Sequence, residues 1–269
     1  MEPVPGAGHP VRAAAAPPGA VSASHPVVLV VEHEAACGLG RLGPALTGAR
    51  LDVRRPWAGD VLPTGRDALA GVDALVVLGG QVAAWDDDVA PWLPDTRALL
   101  ARAASAGVAA LGVCLGAQLL ALATGGRVER GAAGPEAGLL PVGATAAGRD
   151  DALVGAVVEV FGERWEAPQA HGDAVTALPP DAELLASSDL YPVQALRVGE
   201  RAWGVQYHPE VTPADLLGWL QDHHAELLAA RGSSVAEQRA AVAEAEPALA
   251  RLAAVHGRAL LEAALEPSR

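Results

Sequence analysis

The stretch Val-Ala-Ala-Leu-Gly-Val-Cys-Leu-Gly-Ala-Gln, residues 108–118, decides the fold. Its first half, residues 108–113, is apolar throughout, which is typical of a strand buried on both faces. The helix formers that follow, residues 115–124, stop at a pair of glycines and are predicted to form a helix. A buried strand passing directly into a helix indicates an α/β fold, with Cys114 at the turn between them.

Upstream of this stretch, short apolar runs alternate with helical patterns. The predicted strands cover residues 27–31, 51–55 and 73–78, and the predicted helices cover 40–49 and 91–106. Because the strands are continuously apolar rather than alternating, the pattern favours a mostly parallel central sheet flanked by helices.

Downstream of residue 126 the pattern changes to short extended pieces, which predict antiparallel hairpins appended to the parallel sheet. These predicted strands are residues 127–130, 139–142, 157–160, 183–187, 193–198 and 202–207. Two helical stretches follow, at about 213–230 and 234–263, and we expect Pro247 to break or kink the second.

The predicted organisation is one folded domain, residues 25–232, with a C-terminal helical stretch, 233–269, packed on it. Residues 1–24 are rich in Ala, Pro and Gly and lack a basic cluster, which predicts a disordered tail and not a signal peptide. No apolar run reaches the roughly 18 residues that a membrane span needs. With Cys37 and Cys114 expected to be reduced and separate, the sequence indicates a cytoplasmic protein.

Composition excludes several classes of function. The chain has 269 residues, of which 51% are hydrophobic, enough to bury a sizeable core. Its formal charge of −13 opposes nucleic-acid backbones and anionic membrane surfaces, so neither is an expected partner. All 19 basic residues are arginines, which excludes a lysine Schiff base and a P-loop, since both require lysine.

Cys114 lies between Gly112 and Gly116 at the strand-to-helix turn, the arrangement called a nucleophile elbow. Such a turn strains the backbone at the central residue, and side chains at 112 or 116 would clash with the neighbouring strand and helix. The helix N-terminus and a nearby imidazole favour the thiolate. The alternative is that Cys114 is a small buried hydrophobe, which is the interpretation we give to Cys37.

A candidate base follows the last predicted strand, in Gln-Tyr-His-Pro-Glu at 206–210. His208 is placed to donate a proton to a leaving amine, and Pro209 stiffens the backbone so that Glu210 can orient the imidazole. The competing base is His171 in His-Gly-Asp, where Gly172 leaves the carboxylate less rigidly held. We prefer His208.

Neither a metal nor a cofactor is expected. The carboxylates of residues 86–88 are a possible cation site, but three adjacent side chains point in different directions and a solvated loop before the next helix is the preferred interpretation. His223 and His224 face different directions on a helix. The apolar stripe of the final helix, formed by Val242, Leu249, Leu252 and Leu260, fits either core packing or a partner, and core packing is preferred.

These motifs resemble the class I, triad-type glutamine amidotransferases, and are most similar to stand-alone, GMP-synthase-like amidotransferase domains. The resemblance rests on Gly-Val-Cys-Leu-Gly-Ala-Gln at 112–118 and Tyr-His-Pro-Glu-Val at 207–211. It extends from about residue 27 to the final helices and includes Val-Leu-Gly-Gly at 77–80, Trp-Asp-Asp-Asp at 85–88 and His-Gly-Asp at 171–173. The resemblance implies a flavodoxin-like class I amidotransferase fold.

The resemblance also implies residue roles. Cys114 would attack the side-chain amide of glutamine, His208 would protonate the departing ammonia and Glu210 would hold the histidine. Backbone N–H groups of Leu115 and Gly80 would form the oxyanion hole. The residues implied to lie beside the substrate are Gln118, Gly79, His171, Gly172 and Asp173.

The chain carries no synthetase module, so we expect any ammonia acceptor to lie on a separate synthase subunit. The alternative enzyme is a γ-glutamyl peptidase or amide hydrolase with the same three residues and a different leaving group. A further alternative is a non-catalytic regulator that binds a glutamyl ligand or a partner protein.

Overall fold

The computed structural model describes residues 25–230 and 232–266, so the predicted disordered tail lies outside the described residues. The strands are β1 (Val27–Val31), β2 (Arg50–Arg54), β3 (Ala74–Val77), β4 (Ala109–Val113), β5 (Arg127–Arg130), β6 (Glu136–Ala144), β7 (Arg164–His171), β8 (Asp173–Ala177), β9 (Ala182–Ser187), β10 (Ala195–Val198) and β11 (Ala202–Val205). The helices are α1 (Leu42–Ala45), α2 (Leu93–Ala106), α3 (Leu115–Ala123), α4 (Ala146–Asp150), α5 (Ala152–Phe161), α6 (Pro213–His223), α7 (Ala225–Ala230) and α8 (Val235–Leu265), with a short 3-10 helix at Pro56–Ala58.

Nine strands form the central sheet, in the order β2-β1-β3-β4-β11-β10-β9-β6-β7. The first five are parallel to one another, and the pairs from β11 to β7 are antiparallel. Strands β5 and β8 form a separate two-stranded antiparallel sheet. The predicted fold class is confirmed: an α/β fold with a mostly parallel sheet and appended antiparallel strands.

Apolar side chains cover both faces of the parallel strands. Every residue of β3 and of β4 is buried, which explains why their sequences are continuously apolar. One face packs against α1, α5 and α8, and the other against α2 and α3. This two-sided burial fixes β4 and β11 side by side, and their carboxyl ends therefore lie together at one edge of the sheet.

The prediction of a strand at residues 157–160 is wrong, because these residues belong to helix α5. The Asp151 carboxylate caps this helix by accepting hydrogen bonds from the N–H groups of Leu153 and Val154, at 2.9 and 3.0 Å. Leu153, Val154 and Val157 are all buried on one side of it. Capping and burial thus outweigh the preference of β-branched residues for strands.

Two further predictions differ from the structure. The helix predicted at 40–49 is only one turn long, Leu42–Ala45, while the strands β7 and β8 were not predicted. The strand at 202–207 ends earlier, at Val205, and pairs in parallel with β4 on one side. It forms the predicted antiparallel hairpin with β10 on the other side only.

A break or a kink was predicted at Pro247, and the C-terminal helix α8 runs through this residue without a break. Its second half buries Leu252, Val255 and Leu260 in the same core as the sheet. Its first half packs with α6 and α7 in a smaller apolar cluster that contains Leu216, Leu220 and Val242. The helical stretch predicted at 213–230 is divided into α6 and α7 at His224.

Candidate active site

Cys114 lies at the sharp turn between β4 and α3, with φ 51° and ψ −105°. It is the one non-glycine residue with a positive φ in the described part of the chain. A backbone in this region costs an L-residue free energy, and proteins retain such strain mainly at functional sites. The predicted strain at Cys114 is therefore present.

The two glycines of the elbow are required by close backbone contacts. A Cβ at Gly116 would overlap the carbonyl oxygen of Val77, and a Cβ at Gly112 would overlap the backbone of Gly116. Because a backbone group on a central strand cannot move aside cheaply, the steric reason predicted for these glycines is confirmed.

His208 and Glu210 follow β11, the strand beside β4, and form a buried pair. Nδ1 of His208 lies 2.7 Å from Oε1 of Glu210, and each residue is 2% exposed. The backbone N–H of His208 donates to the carbonyl of Pro168 at 2.9 Å, which fixes the chain before the histidine. The carboxylate thus holds the ring by Nδ1.

The two halves of the site meet at Gly79. A Cβ at this glycine would lie 3.2 Å from Cε1 of His208 and 3.6 Å from Cβ of Cys114, so the imidazole and the thiol both adjoin it. Nε2 of His208 is buried and makes no hydrogen bond. Burial lowers the pKa of His208, but the charges of Glu210 and Cys114 raise it more, to about 10. The ring is therefore an imidazolium at neutral pH, with a proton to give.

Trp219 of α6 packs on the outer side of this pair. Its ring lies edge-on to that of His208, with the centroids 5.0 Å apart and the planes at 63°. An apolar ring in this position excludes water from the His208–Glu210 pair and strengthens their attraction.

A cavity of about 230 Å³ opens over Cys114. It brings together many of the sequence-predicted site residues, namely Cys114, His208, Gly80, Gln118, His171, Gly172 and Asp173. Gly79 adjoins Cys114 and His208, and Glu210 adjoins His208, although neither residue lines the cavity. Leu115 begins helix α3 directly after the elbow. Seven lining residues were not predicted for the site: Cys37, Gln81, Val82, Arg130, Ala170, Trp219 and His224.

Gln118 is held in place by two hydrogen bonds. Its Nε2 donates to the backbone carbonyl of Asp173 at 3.0 Å and to Oε1 of Gln206 at 3.2 Å. Gln206 in turn donates from Nε2 to Sγ of Cys114, at 3.5 Å. The side-chain amide of Gln118 therefore joins the 171–173 loop to the elbow.

His171, the competing base, has both ring nitrogens engaged. Nδ1 lies 2.9 Å from the carbonyl of Asp173, and Nε2 lies 3.0 Å from Oε2 of Glu136. Glu136 also accepts hydrogen bonds from Ser188 and Gln194. Burial raises the pKa of Glu136, but these partners lower it more, so the group is a carboxylate. The geometry fits a structural support for the loop.

The acidic loop at 86–88 is engaged in protein contacts. Arg97 donates two hydrogen bonds to Asp87, at 2.9 and 2.6 Å, and Asp86 accepts from the N–H of Ala83 at 3.1 Å. Within the described ranges no three His, Cys, Asp or Glu side chains are grouped as a metal site would require. No helix there is long and apolar enough to cross a membrane.

Solved structures share this fold. A glutamine amidotransferase from Thermotoga maritima superposes with a TM-score of 0.73 at 24% identity, covering 88% of this chain and 98% of that one. One from Methylobacillus flagellatus gives 0.76 at 24% identity, covering 91% and 97%.

Sequence comparison extends the relationship. The GMP synthase [glutamine-hydrolyzing] of Thermus thermophilus is 39% identical over 139 residues, which are 51% of this chain and 24% of that protein. The corresponding synthase of Edwardsiella ictaluri is 41% identical over 116 residues, 40% of this chain and 21% of that protein. The chain thus spans about a quarter of the length of these curated relatives.

The family model for "Glutamine amidotransferase class-I" matches residues 56–219, more than half of the chain. The fold is that of the solved amidotransferases above, and the matched range contains both the elbow and the His208–Glu210 pair. The chain belongs to the class-I glutamine amidotransferase family.

Proposed function

We propose that this protein hydrolyses the side-chain amide of L-glutamine through a thioester on Cys114 and releases ammonia. The observation that carries the proposal is the strained Cys114 elbow beside a buried His208–Glu210 pair, at the floor of one cavity. A strained nucleophile and a charged, oriented imidazole serve acyl transfer, whereas ligand binding alone would require neither.

In the proposed reaction the thiolate of Cys114 attacks the amide carbon, and the carbonyl oxygen becomes an oxyanion. The N–H groups of Leu115 and Gly80 stabilise that charge. The His208 imidazolium donates its proton to the departing nitrogen, and ammonia leaves. Water then attacks the thioester, with the neutral imidazole as base, and glutamate is released.

The glutamyl part of the substrate would lie against Gln118, Gly79 and the loop of His171, Gly172 and Asp173. The hydrogen bonds of Gln118 and His171 to the carbonyl of Asp173 support this assignment, because they hold the loop at a fixed distance from the elbow. A substrate placed against a fixed loop keeps its amide carbon at the sulfur.

The ammonia acceptor is proposed to lie on a separate synthase subunit. What supports a synthase as the acceptor is that the relatives are named GMP synthases. We place the protein in the cytoplasm, since both cysteines are free thiols.

We also assign residues 25–232 to the amidotransferase domain and 233–269 to the same folding unit, since α8 shares the apolar core of the sheet.

A second candidate is a γ-glutamyl amide hydrolase that uses the same three residues. The cavity lining continues from His208 to Trp219 and His224, which gives a surface for a leaving group larger than ammonia. The two candidates differ in the amine that departs and not in the chemistry at Cys114.

The test is release of ammonia and glutamate from L-glutamine by the purified protein and by Cys114→Ala. We expect the substitution to reduce kcat on the order of 10⁴-fold or more, as loss of a nucleophile does. The matched control is Cys37→Ala, which removes the other thiol of the cavity and should retain most of the activity. Ammonia release by Cys114→Ala at the unsubstituted rate would refute the proposal.

The same preparations distinguish the second candidate. If a γ-glutamyl anilide is cleaved in a Cys114-dependent manner while L-glutamine is left intact, the protein is the amide hydrolase. If both are cleaved, the ratio of the two kcat/KM values ranks the leaving groups.

A further inference from the structure

The sulfur of Cys114 has a hydrogen-bond donor beside it, the side-chain amide of Gln206. Nε2 of Gln206 lies 3.5 Å from Sγ of Cys114 and donates to it. The two residues are neighbours because β4 and β11 pair in parallel. Val113 stands opposite Val205, and the N–H of Cys114 donates to the carbonyl of Val205 at 2.8 Å. Gln206 is 2% exposed, so water does not compete for its hydrogen bond to the sulfur.

The direction of this amide is set by a chain of hydrogen bonds. The backbone carbonyl of Asp173 can only accept, so the atom of Gln118 that lies 3.0 Å from it is the nitrogen Nε2. The same nitrogen has a second N–H, which points to Gln206 at 3.2 Å and requires an acceptor there, Oε1. The other end of the Gln206 amide, its Nε2, therefore faces the sulfur. A reversed amide would place two donors against each other.

A donor in this position distinguishes the two states of the thiol. The sulfur of a neutral thiol is a weak acceptor, whereas a thiolate accepts a charge-assisted hydrogen bond. A buried N–H without a good acceptor costs free energy. The Gln206 amide is thus fully satisfied only when Cys114 is ionised, and a hydrogen bond to the charged form of a group favours that form.

Two other titratable groups act on the same sulfur. His208, which follows β11 and is held by Glu210, attracts it as an imidazolium, although its Nε2 makes no hydrogen bond with the described residues. Cys37 follows β1, and burial together with Glu34 raises the pKa of its thiol and keeps it neutral. The imidazolium therefore supplies charge, and Gln206 supplies a hydrogen bond that does not depend on the protonation of its own side chain.

We propose that Gln206 is a further catalytic residue, whose side-chain N–H stabilises the thiolate of Cys114. This inference deepens the proposed function and rests on it, because it takes Cys114 as the nucleophile. The hydrogen bond weakens when the sulfur is acylated and uncharged. It strengthens again when water attacks the thioester carbon and the C–S bond breaks, with the electron pair returning to the sulfur. It therefore favours hydrolysis of the thioester as well.

A purely structural role for Gln206 would be to join β11 to helix α3. The hydrogen bond from Gln118 to Oε1 of Gln206 already makes that connection, and it does not require a nitrogen at the sulfur. Gln169 of β7 offers a matched control. It is fully buried, and its Nε2 donates to Oε1 of Gln194 at 2.9 Å, so its hydrogen bond goes to another glutamine and not to a thiol.

The test is the pH dependence with which iodoacetamide alkylates Cys114 in the unsubstituted protein, Gln206→Met and Gln169→Met, with the modified cysteine identified by peptide mass spectrometry. Methionine has a similar length to glutamine but cannot donate a hydrogen bond. We expect the pH midpoint of alkylation to rise by about one to two units in Gln206→Met, as loss of a hydrogen bond to a charged group does, and by less than about 0.3 units in Gln169→Met. An unchanged midpoint in Gln206→Met, or an equal rise in both variants, overturns the inference.

The pH profile of kcat/KM for L-glutamine shows whether the substitution acts on the thiol alone. In Gln206→Met the acid limb should move to higher pH with the alkylation midpoint, while the alkaline limb, which we assign to His208, stays near pH 10. Movement of both limbs would mean that the substitution displaces the imidazole, and this result overturns the inference.

Alkylation requires no turnover, which separates this inference from the proposed reaction. A rise of the midpoint confined to Gln206→Met supports the hydrogen bond to the thiolate, even if the unsubstituted protein releases no ammonia and the proposed function fails. Ammonia release together with equal midpoints in all three proteins overturns the role of Gln206 and leaves the proposed function intact.

Urea denaturation verifies that Gln206→Met is folded, and a measurement without this variant serves if it is not. In nuclear magnetic resonance spectra of the protein with its own Gln206, the side-chain N–H signals of this residue should shift as pH crosses the alkylation midpoint. In Cys114→Ala the same signals should stay fixed. Signals that stay fixed in both proteins, or shift equally in both, overturn the inference.

Discussion

At the scale of single residues, the site depends on charges that are buried together. His208 and Glu210 are each 2% exposed, and the strained Cys114 adjoins the same glycine as the imidazole. Removing one of these charged groups leaves its partner as a buried charge without compensation. This lowers the free energy of unfolding more than removing an exposed charged group does. The effect of a substitution here should therefore appear in the pH dependence of the reaction as well as in its rate.

The clearest case is Glu210→Gln. Burial lowers the pKa of His208 while Glu210 and Cys114 raise it to about 10, so removing the Glu210 charge lowers that pKa. Because the proposed mechanism has the imidazolium donate the proton, we expect activity to be lost as pH rises through this pKa. We expect the alkaline limb of the kcat profile near pH 10 to move to lower pH in Glu210→Gln, with kcat reduced on the order of 10²- to 10⁴-fold.

Glu210→Gln should also change the way in which the free energy of unfolding depends on pH. A raised pKa means that the stabilisation from His208 is complete below its unfolded value of about 6.5 and disappears as pH rises through about 10. In Glu210→Gln the free energy of unfolding, measured by urea denaturation, should change less with pH between about 6.5 and about 10. The control is Glu262→Gln, an exposed carboxylate 4.0 Å from Arg258. An unshifted alkaline limb in Glu210→Gln would contradict the assigned role of Glu210.

At the scale of elements, helix α8 contacts the segment that follows β11 and leads to His208. His256 of this helix is fully buried and lies 2.9 Å from the hydroxyl of Tyr207, the residue before His208. The other ring nitrogen, Nδ1, donates a hydrogen bond to the carbonyl of Leu252, and burial lowers the pKa of His256 to about 4. The ring is therefore neutral, and its Nε2 accepts a hydrogen bond from the Tyr207 hydroxyl. The helix therefore supports the segment that precedes His208.

Leu260→Ala tests whether α8 belongs to the same folding unit. Leu260 is fully buried in the core cluster, so its truncation should reduce the free energy of unfolding by about 2–5 kcal/mol. Leu265→Ala removes an equal side chain that is 68% exposed, and its cost should remain within about 0.5 kcal/mol. Urea denaturation followed by circular dichroism measures both. Equal midpoints for the two variants would mean that α8 is a separable appendage.

The strands and helices also show which parts of the fold could be predicted from the sequence. The parallel strands were predictable because burial on both faces requires continuous apolar runs, as in β1 and β4. Residues 157–160 were mispredicted because β-branched composition was weighed above the Asp151 cap. Strand β7 was missed because its sequence mixes Glu166 and Pro168 with apolar residues, and its pairing with β6 is a tertiary property.

The site was predictable to the extent that its residues carry local motifs. The elbow and the His-Pro-Glu segment are each contiguous in sequence, so their chemistry could be inferred before the structure was known. Arg130 has no motif, and it reaches the cavity only because β5 pairs with β8. Trp219 could have been suggested by its place on the helix after Glu210, but its ring orientation depends on how α6 packs.

At the scale of the whole molecule, stability is distributed unevenly. Two large apolar clusters cover the faces of the sheet, whereas α6, α7 and the first half of α8 share a third and smaller cluster. Regions with fewer buried apolar contacts open at lower free energy. The cavity thus lies between a rigid sheet and a less stable helical layer that contributes Trp219 and His224.

Hydrogen exchange should show this gradient. We expect the amides of β1, β3, β4 and β11 to exchange most slowly, near the rate set by global unfolding, and those of α7 to exchange orders of magnitude faster. Peptide-level mass spectrometry resolves the two groups. Protection in α7 equal to that in β4 would show that the helical layer opens only when the whole molecule unfolds.

The order of the strands in the chain has a consequence for synthesis. Cys114 precedes His208 by 94 residues, yet their strands are neighbours in the sheet. At about 5–20 residues per second, roughly 5–20 s pass on the ribosome between the two residues. During that interval the thiol has neither His208 nor the strand beside it. Under the proposed function, consumption of glutamine begins only with chains whose synthesis has passed the His-Pro-Glu segment, and prematurely terminated chains that lack it release no ammonia.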